Sequence, residues 1–285
     1  MTPITTVIPV FNRAHLVGRA IESVLAQALP PACSLRIVVA DDGSTDDLEG
    51  ALRRFQGRVD IIRNPQNAGA SAARNAGIAA AQDGWIAFLD SDDVWLPGKL
   101  KTQIEMMRQN RWLASCTAFL LSAPGRPEVV APSYPTGALG LADLVWGCFV
   151  GPGSTLLCAR SVFDTVGPLD TSLRRLEDWD WLIRYVGNHG LGFIAEPLAR
   201  TEPSNESKAA DHIRALEVLR AKHAAHLTGK TRRHFLAGLD LELAATHYRA
   251  GNALGMIGPL LRSILRSPRR NEALSAVLHN RSVRG

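Results

Sequence analysis

The stretch IAFLDSDDVWLPGKL (86–100) runs four apolar residues into three aspartates, Asp90, Asp92 and Asp93, within four positions. Like charges this close repel one another unless a cation lies among them. Asp-x-Asp directly after a buried strand suits a divalent ion, because Mg²⁺ or Mn²⁺ takes one or two carboxylate oxygens and fills its other positions with phosphate oxygens and water. A metal-bound diphosphate is the ligand this pattern expects. The competing reading, a cap for the helix near Pro97, needs one acceptor where three stand.

Three more polar clusters follow short apolar runs in the same way. FNR (11–13) comes after TTVIPV (5–10), DDGSTDD (41–47) after LRIVVA (35–40), and NPQNAG (64–69) after VDIIR (59–63), as the acids come after WIAFL (85–89). Between the runs lie segments of helical period, with Val17, Ile21, Val24 and Leu25 on one face, then Leu48, Leu52 and Phe55, then the small-residue stretch ASAARNAGIAAA. Strands alternating with helices predict an α/β fold with a mostly parallel sheet. In such sheets ligands bind outside the carboxyl ends of the strands, where all four clusters fall. The phosphate loops GxGxxG and GxxxxGK[ST] are absent, which argues against a nicotinamide dehydrogenase or a P-loop enzyme.

A further acidic group, Glu177, Asp178 and Asp180, stands in RRLEDWDWLIRY (174–185), with Trp179, Leu182, Ile183 and Val186 marking a packed helix face. A positioned carboxylate can remove a proton from an attacking hydroxyl. The bland alternative is that these acids complement a helix N-terminus, whose dipole would lower their pKa.

Taken in order, VIPVFNR, VVADDGSTDD, NAGASAARNAGI, IAFLDSDDVW and EDWDW resemble the family 2 glycosyltransferases of the GT-A fold, over roughly residues 4–200. The resemblance implies an inverting, metal-dependent transferase that moves a sugar from a nucleotide-diphosphate-sugar, with UDP favoured, to a glycan or lipid-linked acceptor in polysaccharide or glycoconjugate synthesis. It implies that Pro9, Phe11 and Arg13 line the nucleoside pocket, that Asp42 accepts from the base, and that Asp90 and Ser91 approach the ribose and diphosphate. It places the metal, Mn²⁺ or Mg²⁺, on Asp92 and the catalytic base at Asp178, with Glu177 beside it on the substrate. Arg74 faces either the nucleotide or a surface ion pair, and Asp93 starts the next helix. Where the family often carries a His after the base helix this chain has Glu202, so the third metal ligand is Glu202, His212 or none. Trp146 and Phe149, with GPGS (151–154), occupy the usual acceptor region, as sugar platform or as packing anchor. Two rival readings are a nucleotidylyltransferase, which would want a Gly- and Arg-rich loop in place of PVFNRAH, and a silent sugar-nucleotide or glycan-binding module, which has no use for a base.

The chain of 285 residues, 46% hydrophobic and 21% charged, is ordinary globular material long enough for one enlarged domain. We divide it into a catalytic domain (1–205) and a helical C-terminal extension (206–285). Its four cysteines form no CxxC pair, and reduced thiols are expected. The N-terminus has neither the basic start nor the apolar core of a signal peptide, and no apolar run is long enough to span a bilayer, so a cytoplasmic protein is expected. The net charge of +5 is modest and no nucleic-acid partner is expected. MIGPLLRSILRSPRRN (256–271) is apolar and basic; it reads either as a helix packed on the catalytic domain or as a peripheral contact with the inner membrane surface.

Overall fold

β-branched runs flanked by turn residues give the strands, and apolar residues at steps of three and four give the helices that cover them. The computed structural model of the chain describes residues 1–202 and 209–267. The first half alternates β1 (Thr2–Val10), α1 (Ala14–Leu25), β2 (Cys33–Asp41), α2 (Leu48–Leu52), β3 (Asp60–Arg63), α3 (Ala70–Ala79) and β4 (Trp85–Phe88). Then follow β5 (Val94–Trp95), α4 (Lys99–Asn110), β6 (Ala114–Leu121), β7 (Val129–Ala131), β8 (Gly137–Leu139), α5 (Leu141–Leu144), α6 (Pro152–Thr155), β9 (Leu157–Ala159), α7 (Val162–Val166), α8 (Glu177–Val186) and β10 (Leu191–Thr201). The C-terminal helices are α9 (Ala209–His223), α10 (Gly229–Arg249) and α11 (Ala253–Arg266). The expected junction at 205/206 and the last residues of the basic segment, 268–271, lie outside the described residues.

The strands form one sheet in the order β3-β2-β1-β4-β9-β6-β10-β5, with β7 on β6 and β8 on β10. β3, β2, β1 and β4 are parallel, as predicted. β9 then runs antiparallel between β4 and β6. The Pro- and Gly-rich stretch 124–153 contains β7, β8 and α5.

Alternation along β1 sends Ile4, Ile8 and Val10 to the face covered by α1 and α4, with Val17, Ile21, Leu100 and Ile104, and Val7 to the opposite face. On that second face α3 lies very close to β1. A methyl group on Gly77 would sit 2.4 Å from Val7 Cγ1, so the small residues of α3 permit this approach. Helix α8 is enclosed on both sides. Trp181, Leu182, Tyr185 and Val186 pack toward the sheet, while Trp179 and Ile183 join a cluster with Leu216 and Leu219 of α9 and Phe235 and Leu239 of α10. Asp180, fully buried, fastens the same helix to α9 by accepting from His223 at 2.7 Å and Lys222 at 2.9 Å. The C-terminal helices thus hold in place the helix that begins with Glu177 and Asp178.

Candidate active site

Parallel pairing brings the strand ends level, since Val10 pairs with Asp41 and Asp41 with Arg63. The loops beyond them are laced together. Asn12, at a φ of 52°, donates its N–H to Ser44 Oγ at 3.0 Å and accepts from the Thr45 N–H at 2.7 Å. Asp46 accepts the Ala14 N–H at 2.8 Å and so caps α1 from the neighbouring loop. Pro9 is buried in β1, whereas Phe11 stands at the rim with 42% of its surface exposed. Asp42 is buried; its carboxylate accepts from Asn64 Nδ2 at 2.8 Å and from the Gly69 N–H at 2.6 Å, and pins the 64–69 loop.

The acids after β4 separate into three environments. Asp90, one-third exposed, accepts from Arg74 Nη2 at 2.6 Å, and the other end of the same guanidinium reaches Glu177 at 2.7 Å. Arg74 is therefore not a surface ion pair: it is buried and links the β4 acids to the head of α8. Burial alone would lower its proton affinity, but the charges of Asp90 and Glu177 prevail and raise it. Asp92 is paired with Arg13, and Arg19 stands between the Asp92 carbonyl and Glu202, 3.4 Å from one and 3.3 Å from the other. Ser91 is buried.

Asp93 does not start the following helix. It is buried, accepts from the Ser154 hydroxyl and from the Glu202 N–H at 3.2 Å, and ties the acid loop to α6 and to the end of β10. Burial and the nearby Asp90 charge push its carboxyl well above the usual range. Ser154 Oγ in turn accepts the Asp90 N–H at 3.1 Å. GPGS is thus a clamp for the acids. Gly153 is part of it, because a Cβ there would lie 2.5 Å from Asp90 Oδ2.

Asp178 enters the same region from α8, beside a hollow lined by Arg74, Phe88, Gly153, Leu156 and Trp181. It accepts from the Trp179 N–H at 2.7 Å. Burial and the adjacent Glu177 charge raise its pKa to about 6, against the lowering effects of Arg74 and that backbone bond. The helix N-terminus was expected to depress this pKa; desolvation is the larger effect. A carboxylate poised near neutrality inside a cleft is suited to general base work.

Of the alternatives for a third metal ligand, His212 is remote from the rim. It is buried between α9 and α10, 3.6 Å from Glu242. Glu202 is adjacent to the acids, with its side chain on Arg19. Among the described residues no three His, Cys, Asp or Glu groups converge as a ready-made ion site. The donor set fits a Mg²⁺ or Mn²⁺ that draws most of its oxygens from a diphosphate, and does not fit an ion held by protein alone. Trp146 is a packing anchor: it is 4% exposed, with its ring 4.7 Å from that of His234, and Phe149 packs half-buried beside it. Buried Lys99 escaped the sequence reading, although it and Gln103, four residues apart, share a helix face with Leu100, Ile104 and Met107.

The chain is similar to known proteins in sequence and in fold. A family model described as glycosyl transferase family 2 matches residues 5–167. The succinoglycan biosynthesis protein ExoU of Rhizobium meliloti is 35% identical over 224 residues, 68% of this chain and 62% of its own length. The UDP-Glc:alpha-D-GlcNAc-diphosphoundecaprenol beta-1,3-glucosyltransferase WfgD of Escherichia coli is 35% identical over 108 residues, 38% of this chain and 42% of its own. The chain thus spans less than two thirds of both relatives. The crystal structure of S. aureus TarS 1-349 in complex with UDP superposes with a TM-score of 0.62 at 14% identity, covering 95% of this chain and 93% of that one, and shares the fold.

Proposed function

The chain belongs to glycosyl transferase family 2, and from that premise we propose that it moves a sugar from a nucleotide-diphosphate-sugar, a UDP-sugar by preference, to a hydroxyl of a glycan or lipid-linked acceptor, with inversion at the anomeric carbon. One observation carries the reading. Arg74 joins Asp90, on the donor side, to Glu177, next to an Asp178 whose pKa stands at about 6. A group that binds donor and a group that takes a proton are thereby held in one rigid arrangement.

In this reading Phe11 and Arg13 flank the nucleoside, with Pro9 and Asp42 fixing the walls behind them, and Asp90 and Ser91 meet the ribose and diphosphate. Asp178 accepts the acceptor's hydroxyl proton as its oxygen attacks the anomeric carbon. Glu177 stays on Arg74 and keeps the base oriented. Asp92 would hold the Mg²⁺ or Mn²⁺, with Glu202 beside it; such an ion, when bound, neutralises the charge of a diphosphate leaving group. UDP and UDP-GlcNAc are the ligands of solved TarS complexes, and WfgD uses a diphosphoundecaprenol-linked acceptor; both support the choice of ligand classes.

A thermal-shift panel of sugar nucleotides, with and without Mn²⁺, tests the donor assignment. Selective stabilisation by one UDP-sugar is expected, and indifference to every nucleotide refutes it. For the metal, titration calorimetry of UDP against wild type and Asp92→Ala is decisive: Mn²⁺ should tighten UDP binding in the former and not in the latter.

A further inference from the structure

Helix α11 packs with its faces reversed. On its inner side Ser263 Oγ donates to the Ala237 carbonyl of α10 at 2.8 Å, and Pro259 is buried. Met256 and Leu260 are partly covered, but the helix's other five large apolar residues turn outward: Leu254 is 84% exposed, Leu261 54% and Leu265 80%, with Ile257 and Ile264 also exposed. Steps of three, four, three and one keep these five on one side of the helix. The packed alternative in the sequence reading had the apolar face on the protein; here Leu254 and Leu265 stand almost fully in solvent, and Ile257, Leu261 and Ile264 are about half covered.

Positive charge is concentrated beside the stripe. A groove at the C-terminal helices is lined by Arg220, Arg232, Arg233 and Arg266. A neighbouring groove shares Arg233 and Arg266 and adds Lys230, Leu265, the last apolar residue of the stripe, and one carboxylate, Asp143, which accepts the Gly140 N–H at 2.9 Å. The buried carboxylate there, Asp240, is already paired with Arg220 at 3.0 Å, Arg262 at 3.3 Å and Arg266. Among the described residues no carboxylate pairs with Lys230, Arg232 or Arg233. Burial and the crowding of guanidinium groups lower the proton affinity of Arg220 and Arg266, as expected where positive charge is in excess.

We propose that α11 and the arginine-lined grooves form a docking surface for an anionic lipid bilayer, with the stripe seated at the boundary of headgroups and acyl chains and the cations on the headgroup phosphates. Two other occupants fit the charges poorly. Residues 268–285 carry four arginines and one glutamate, so they would add like charge to the grooves. A second copy of the chain, docked stripe to stripe, would bring one arginine cluster against another. At 14 residues α11 is about 21 Å long, so it lies on the membrane and does not cross it. The proposal is independent of the sugar-transfer reading.

The test is flotation of the full chain with phosphatidylcholine vesicles and with vesicles that also contain phosphatidylglycerol. Binding is expected to the anionic vesicles and to weaken as salt rises. The double variant Arg232→Gln/Arg233→Gln should bind them about twenty-fivefold less tightly, taking about fivefold per arginine near an anionic surface. Leu254→Ser/Leu261→Ser/Leu265→Ser should abolish binding. Leu254, Leu261, Leu265, Arg232 and Arg233 are all exposed, and apart from the bond from Arg232 Nε to the Ala224 carbonyl they hold little of the fold, so both variants should melt close to wild type by circular dichroism, which separates lost docking from lost folding. Failure of wild type to float with anionic vesicles overturns the proposal. So does a stripe variant that floats unchanged, or one whose only effect, by light scattering, is to turn a dimer into a monomer.

Discussion

Replacing Asp178 by Asn should make the protein more stable while removing its chemistry. In the folded chain this carboxyl has a pKa of about 6 against an ordinary value of 3.8, raised chiefly by burial and by Glu177. The difference of about two units corresponds to about 3 kcal/mol at 1.36 kcal/mol per unit. Because the folded pKa is the higher one, folded protein binds more protons than unfolded protein between about pH 4 and 6. Wild-type stability contributed by this group is therefore fully present below about pH 4, is lost as pH rises through 6, and stays lost above it. Asn imitates the protonated acid, and its Oδ1 can still accept the Trp179 N–H. The variant should match wild type near pH 4 and exceed it by up to about 3 kcal/mol at pH 8, a rise in Tm of about 6 °C for a chain of this size. Urea unfolding across this pH range measures the difference directly, and UDP binding at pH 8 should be retained. A variant less stable than wild type at pH 8, or a difference that does not change with pH, would refute the account of the base.

Other consequences can be measured separately. Wild-type kcat/KM should fall about tenfold per pH unit below about pH 6, and Arg74→Met should move that acid limb to higher pH, because Arg74 lowers the proton affinity of Asp178. An unmoved limb in a folded variant would detach Arg74 from the base. Gly153→Ala, whose new Cβ would lie 2.5 Å from Asp90 Oδ2 and 3.2 Å from Arg74 Nη2, should raise the donor KM by about tenfold, or about 1.4 kcal/mol, with little change in Tm. Gly238→Ala acts on the fold instead: its Cβ would meet the Trp146 carbonyl at 2.5 Å, and thermal melting should reveal an overpacking cost of about 1–3 kcal/mol.

The parallel half of the sheet was legible because β1 to β4 contain apolar, mostly β-branched runs, each followed by a polar cluster. β10 was not, since Gly192 and Pro197 interrupt its pattern and its register against β6 shifts on both sides of Pro197. The candidate site followed the same division. Asp90, Asp92 and Asp178 stood out because carboxylates beside apolar runs need partners. What holds them came from far along the chain: Ser154 for Asp93, the Glu202 amide for the same carboxylate, and Glu177 for Arg74, none of which has a local sequence signal. Two acids at the head of a helix suggested a depressed pKa, and only the burial around α8 reversed that sign. The orientation of α11 was equally hidden, because hydrophobic periodicity identifies an amphipathic face without saying which way it turns.

In the proposed reading, the shared guanidinium of Arg74 couples donor occupancy at Asp90 to the proton affinity of Asp178. Asp90 lies in the same field as Asp178 and raises its pKa, while Arg74 pulls it down. Positive charge brought to Asp90 must release protons from the population of Asp178 still protonated between about pH 5 and 7, and negative charge must draw them in. Reciprocity then requires nucleotide affinity to vary with pH around 6 by the same coupling factor. The proton count on nucleotide binding, obtained from calorimetry in buffers of different ionisation enthalpy, thus reports on the base before any acceptor is present.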